Sequence, residues 1–171
     1  MTVESVDFFQ QELVRLCANA GVVVVFVKAL PNTRICGATR WLTPTKALIQ
    51  LSLRYKTDDQ FWFTFFHEAG HILLHGKRQV FLETEQKDSE KEEIEANKFA
   101  SDTLISREQW KQFIAQNSSR TKAGIEEFAE KVGIAPGIVV GRLQHEELLP
   151  FTHCNQLKRS LGWADEVTSD S

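Results

Sequence analysis

Apolar residues recur at three- and four-residue steps near the start of the chain, at Val6, Phe9, Leu13, Leu16 and Ala20. That period predicts an amphipathic helix over residues 5 to 20, stopped by Gly21. Val22 to Val27 is a β-branched run and predicts a buried strand. A turn at Pro31-Asn32 leads to a second strand, about Arg34 to Leu42. Lys46 to Tyr55 alternates, with Ala47, Ile49, Leu51, Leu53 and Tyr55 on one parity and mostly polar residues on the other. This is the pattern of a third strand with one face buried and one wet. Asp58 and Asp59 then open a long helix that runs to about His75 and is closed by Gly76.

Beyond Gly76 the pattern changes. Residues 83 to 95 hold seven acids and two Lys, which reads as a solvated loop and the exposed start of a helix reaching about Ile105. Ser106, with Gln109 three residues on, resembles a capping box for a helix over 107 to 117. Two shorter helices follow, about 122 to 132 and 136 to 147, separated by Gly133 and Pro136. The segment from Phe151 shows no clear period. Strands precede helices, so the expected class is α+β: an N-terminal helix and a short three-stranded sheet, then a long helix and a C-terminal helical bundle. Residues 1–150 are expected to form a single domain, with a core at about 20–105, a helical part at about 106–150 and a tail at 151–171.

Composition narrows the chemistry. The chain has 171 residues, 42% of them hydrophobic, enough for a core without disulfides or structural metals. Its net charge of −3 argues against binding nucleic acid through bulk charge. Three Cys without a Cys-x-x-Cys pair exclude a disulfide framework and a four-Cys zinc site. The N-terminus lacks the basic and apolar regions of a secretory signal, and no apolar run is long enough to span a bilayer. Free Cys17, Cys36 and Cys154 suit a reducing compartment, so a cytoplasmic location is expected.

The remaining metal-binding residue types are concentrated in one place. His67-Glu68-Ala69-Gly70-His71 is His-Glu-x-x-His within the predicted long helix. Two His at i and i+4 project from one side of a helix and can reach one ion, with the Glu between them placed to take a proton from water. On a helical wheel Trp62, Phe65, Phe66, Ala69, Ile72 and Leu73 form a core arc, with His67 and His71 opposite and Glu68 alongside. A catalytic zinc usually takes a third protein ligand. Glu92, Glu93 and Glu95 are the candidates on the next helix. Glu93 shares a face with Ala96, Asn97, Ala100 and Leu104, which suits close packing, whereas Glu95 shares its face with Lys91, Lys98 and Asp102 and looks solvated. Glu93 is therefore the expected ligand, and Asn97, one turn on, is placed to hold a ligand His by a hydrogen bond.

The stretch from Thr64 through His67-Glu68-Ala69-Gly70-His71 to His75, followed by Glu93-Ile94-Glu95-Ala96-Asn97-Lys98-Phe99-Ala100, resembles the ImmA/IrrE family of metallo-endopeptidases. The resemblance implies a small zincin-like domain, with His67, His71 and Glu93 as metal ligands and Glu68 as catalytic acid/base. The implied cofactor is Zn2+, although two His and a carboxylate also suit Mn2+ or Fe2+. One departure lies after Ala100: the family often continues to a Leu-Leu-Met-Pro segment, where this chain has Thr103-Leu104-Ile105-Ser106. Ser106 can cap a new helix in place of that Pro.

The implied reaction is metal-assisted amide hydrolysis, in which Glu68 accepts a proton from water and returns it to the leaving amine. Tyr55, His145 and His153 are candidates to stabilise the oxyanion. The third strand could pair its edge with an extended substrate. The resemblance further implies a protein substrate, a helix-turn-helix repressor or an antitoxin, and relief of repression of stress-response or mobile-element genes. Some relatives act as toxins of toxin–antitoxin pairs.

The competing interpretation is a DNA-binding module, because residues 125–143 have helix–Gly-turn–helix spacing. Its second helix offers only Arg142 as a base beside Glu146 and Glu147, so direct nucleic-acid binding is not expected. A protein that keeps the motif to bind metal and a partner without catalysis is the third option. His75 reads as a favourable charge at a helix end, His153-Cys154 as a chance neighbour pair, and Trp41, Trp62, Trp110 and Trp163 as packing aromatics.

Overall fold

The computed structural model describes residues 3–5, 7–28, 36–52, 56–75 and 85–163. In order, the elements are β1 (Val3–Ser5), α1 (Asp7–Asn19), β2 (Val22–Val27), β3 (Gly37–Thr43), β4 (Lys46–Ser52) and α2 (Asp58–Leu74). They continue as α3 (Glu85–Leu104), α4 (Arg107–Ile114), α5 (Lys122–Val132), α6 (Pro136–His145) and β5 (Ser160–Gly162), with short 3-10 turns at Asn117–Arg120 and Asn155–Leu157. The architecture is that of a small zincin-like α+β domain.

The alternation in β4 has the physical result the sequence predicts. Ala47, Ile49 and Leu51 are buried beneath α1 and α2, where they pack with Leu13, Val24, Phe61, Phe65 and Ile72. Alternation reports which face is covered, not which strand is central. β4 lies in the middle of the order β2-β4-β3, parallel to β2 and antiparallel to β3. The expected free edge on β4 is therefore corrected: both its edges are paired, and the sheet's outer edges belong to β2 and β3. The run Val22 to Val27 is also an edge strand, not a buried one. Val24 is buried, but Val23 and Val25 are exposed on the uncovered face. The core arc of α2 is narrower than the wheel suggests, because Leu73 is 68% exposed.

A second core lies among the C-terminal helices. Ile105, Trp110, Phe113, Ile125, Phe128, Val139, Val140 and Leu143 pack together, and Trp62 touches both cores. Local signals set these helix ends. Ser106 Oγ accepts from Gln109 N at 3.4 Å, which caps the start of α4, and donates to Gln109 Oε1, so the Gln109 side chain meets the hydroxyl of Ser106 where a capping box would use its backbone N–H. Gly133 ends α5 with φ 78°, a left-handed conformation that favours glycine. The would-be recognition helix α6 is buried along Ile138, Val139, Val140 and Leu143. Arg142 is also committed: it donates to the carbonyls of Ser101 and Ile105 and to Glu146, and stacks 4.5 Å over the Trp110 ring. These two helices are core elements.

The segment from Phe151, which shows no period, adds β5 parallel to β1 and buries Leu161 in the first core. It also anchors the start of α2. Asp58 Oδ1 accepts from the backbone N–H groups of Arg159 and Asp59, while Lys158 Nζ lies 2.7 Å from Asp59 Oδ2 as an ion-pair contact. Gly137 and Gly141 on α6 face these two carboxylates so closely that a Cβ at either would lie within 2.5 Å of a carboxylate oxygen. Burial raises the Asp58 carboxyl pKa to about 6, against the two backbone donors.

Candidate metal centre

The site is built where α2 crosses α3. Close approach requires small residues at the contact, and Gly70 supplies one: a Cβ there would meet Phe99 at 3.1 Å and the Ala96 backbone at 3.2 Å. Ala96 and Ala100 are fully buried on the facing side of α3. This packing brings Glu93 of α3 over the two imidazoles of α2, which are one helical turn apart.

His67 Nε2 and His71 Nε2 are 3.1 Å apart. Glu93 Oε2 is 3.4 Å from the first and Glu93 Oε1 is 3.2 Å from the second. A tetrahedral ion about 2.0–2.1 Å from each ligand atom would hold such atoms about 3.3 Å apart. The three side chains thus form a triangle of the right size for one small divalent ion, and they could bind it. The donor set of two imidazoles and one carboxylate leaves a further position open, as catalytic sites require. The His67 and His71 side chains are mostly covered, and Glu93 sits at the rim with half of its side chain exposed.

Electrostatics agree with this fit. Burial holds the His71 imidazole below its ordinary pKa, aided by His67 and opposed by Glu93, so the ring favours its neutral, ligating form. Glu68 is buried between α2 and the start of β3. Burial, reinforced by the charge of Glu93, raises its carboxyl pKa to about 7. A carboxyl poised there can both accept and donate a proton near neutrality.

Around these residues lies a hydrogen-bonded surround. Asn97 Oδ1 is 2.9 Å from His67 Nδ1, across the α2–α3 contact. His71 Nδ1 is 3.1 Å from His75 Nδ1, and His75 Nε2 is 3.1 Å from Glu95 Oε2. Glu95, expected to be solvated, is therefore tied to the site's surround, because its long side chain reaches past the flank of α3. Glu92 lies outside the metal-sized triangle formed by the described residues.

Gly37, at the start of β3, did not stand out in the sequence. A Cβ there would lie 2.6 Å from Thr64 Cγ2 and 2.8 Å from Glu68 Oε1, so the missing side chain makes room for the buried carboxylate. A lone Gly inside a strand is the signal that could have found it. One turn from His67 along α2, a cavity of about 270 Å³ opens between α2, α3 and α6, lined by Phe63, Leu104, Ile138 and His145 among others. The Phe63 ring lies 6.3 Å from His67 and 6.1 Å from His145. Of the three oxyanion candidates, His145 stands on this cavity, exposed His153 turns to Thr152, and Tyr55 lies outside the described residues.

The IrrE N-terminal-like domain of peptidase family M78 matches residues 17–144. Most of the chain, including His67, Glu68, His71 and Glu93, falls within that match, and the chain belongs to this metallopeptidase family. No curated protein matches it significantly in sequence. Among the described residues, no helix is long and apolar enough to cross a membrane.

Proposed function

We propose that this chain is a zinc-dependent endopeptidase of the cytoplasm that cuts a helix-turn-helix repressor and so relieves repression of its target genes. The observation that carries the catalytic part is the convergence of His67, His71 and Glu93 on one ion-sized triangle beside a buried Glu68. His67, His71 and Glu93 hold the metal, and Asn97 fixes His67 by accepting from its Nδ1–H. When bound, the metal supplies Lewis-acid polarisation of the scissile carbonyl and makes water more acidic. Glu68, buried beside these three side chains, accepts the proton from the attacking water and returns it to the leaving amine.

Substrate positioning follows from the sheet. Among the described residues β3 is hydrogen-bonded to β4 on one side, and an extended peptide would add to the sheet along its other side. That strand begins at Gly37, directly over Glu68. The cavity beside Phe63 exceeds the roughly 150 Å³ that holds a benzene ring, so it has room for a large apolar side chain of the substrate. The repressor substrate follows the family resemblance.

The test is co-expression with a helix-turn-helix repressor encoded beside the gene, with the repressor followed by immunoblot. Cleavage by the wild-type chain and none by Glu93→Ala, which should also lose its metal, is the expected result. An intact repressor in both would remove the substrate assignment. Cleavage by a Glu93→Ala variant shown to be metal-free would remove the metal mechanism.

A further inference from the structure

His67 and His71 are held in different ways, and the difference assigns a task to two residues outside the ligand set. A metal-binding imidazole needs a lone pair on the nitrogen that faces the ion, and the tautomer is set by the hydrogen bond at its other nitrogen. For His67 the acceptor is a single amide oxygen, Asn97 Oδ1. For His71 the nearest partner is another imidazole, His75 Nδ1, which can either donate or accept. That ambiguity is removed one step further out. Glu95 Oε2 is a carboxylate oxygen and can only accept, so it draws the proton of a neutral His75 to Nε2. His75 Nδ1 is then a lone pair, which accepts from His71 Nδ1–H. His71 Nε2 is left as a lone pair on the side facing Glu93 and His67.

We propose that Glu95 and His75 form a hydrogen-bonded chain that sets the tautomer and ring orientation of His71 for metal binding. Both are positioning residues, and the inference rests on the metal-centre reading above. The geometry suits the role. His75 is the C-cap residue of α2, one turn beyond His71, and only 9% of its side chain is exposed. Glu95 comes from α3, so the chain also ties the end of the motif helix to the helix that carries Glu93. Lys91 lies 3.7 Å from the other Glu95 oxygen and leaves Oε2 to His75.

The experiment compares the full-length wild-type chain with His75→Leu, His75→Gln and Glu95→Ala, using Zn2+ as the probe. Zn2+ affinity is measured by competition with a chromophoric chelator, and imidazole N–H protons of the Zn2+-loaded proteins are followed by 15N-edited NMR. His75→Leu is expected to weaken Zn2+ binding by about 10–100-fold, with Glu95→Ala weakened in the same direction. His75→Gln keeps an acceptor and a donor in one side chain and is expected to recover most of the affinity. The wild type should show a slowly exchanging His71 Nδ1–H signal that His75→Leu loses. Wild-type affinity in His75→Leu would overturn the proposal. So would equal weakening in His75→Leu and His75→Gln with the His71 signal intact, because that pattern is a packing effect. A wild-type chain that holds no Zn2+ would instead overturn the metal-centre reading, and this inference with it.

Discussion

Asn97 Oδ1 lies 2.9 Å from His67 Nδ1 and joins α3 to the motif helix through the one imidazole nitrogen that does not face Glu93. Because an amide oxygen only accepts, it places the His67 proton on Nδ1 and leaves Nε2 free to ligate. Asn97→Ala should weaken metal binding by about 10–100-fold while the fold persists. Asn97→Asp, which keeps an acceptor, should bind metal more tightly than Asn97→Ala. Chelator competition on the purified variants measures both. Equal affinities in all three proteins would show that this bond does not position His67.

Gly37 gives a way to disturb Glu68 without touching a ligand. A methyl group there would overlap Thr64 and press on the Glu68 carboxylate. A misplacement of about 1 Å at a reacting group can cost on the order of 100-fold in rate. Gly37→Ala should therefore lower kcat by about 10–100-fold with metal content unchanged. Metal analysis alongside a cleavage assay distinguishes this from loss of the ion.

Asp58 makes a pH-dependent contribution to stability. Its folded-state pKa is raised to about 6 by burial, above the unfolded value of 3.8. Between those values the native state binds more protons than the unfolded state, so the stability from this group is complete below about pH 4 and lost as pH rises through about 6. The shift of about two units corresponds to on the order of 3 kcal/mol as an upper bound. Urea denaturation of the wild type and Asp58→Asn at several pH values tests this: relative to the wild type, the variant should gain stability as pH rises from 4 to 7. A constant difference over that range would contradict the assignment.

Arg142 is predicted to matter for stability rather than for nucleic acid. Its guanidinium satisfies the carbonyls of Ser101 and Ile105 at the end of α3 and covers the Trp110 ring. Hydrogen bonds to a charged group contribute about 1.5–3 kcal/mol, so Arg142→Ala should destabilise the fold by roughly 2–4 kcal/mol. Chemical denaturation measures the loss. Retardation of DNA by the wild-type chain that Arg142→Ala abolishes without unfolding would favour the DNA-binding alternative.

Much of this arrangement is legible in the sequence, because helix periodicity and side-chain chemistry are local. The i, i+4 spacing of His67 and His71 puts both rings on one side of α2, and the small residues Ala96 and Ala100 mark the face of α3 that meets it. The helix cap at Ser106 and the stop at Gly133 are likewise short-range signals. What the pattern does not carry is pairing at a distance. Alternation in β4 cannot say that β2 and β3 flank it, and no period marks Ser160–Gly162, whose partner β1 lies at the other end of the sequence. Glu95 escapes for a related reason. A wheel gives the direction of its Cβ, whereas its reach to His75 depends on a long flexible side chain and on how α3 lies against α2.

In the proposed reaction Glu68 moves the proton, supported by a metal on His67, His71 and Glu93. Replacing Glu68 by Gln removes the proton acceptor and leaves all three ligands, so metal content and cleavage should separate. The decisive measurement is elemental analysis of purified Glu68→Gln together with its cleavage of a co-expressed repressor that the wild-type chain cuts. The expected result is one metal ion per chain, as in the wild type, and a cleavage rate lower by at least about 100-fold. Cleavage at the wild-type rate by the metal-loaded variant would contradict it.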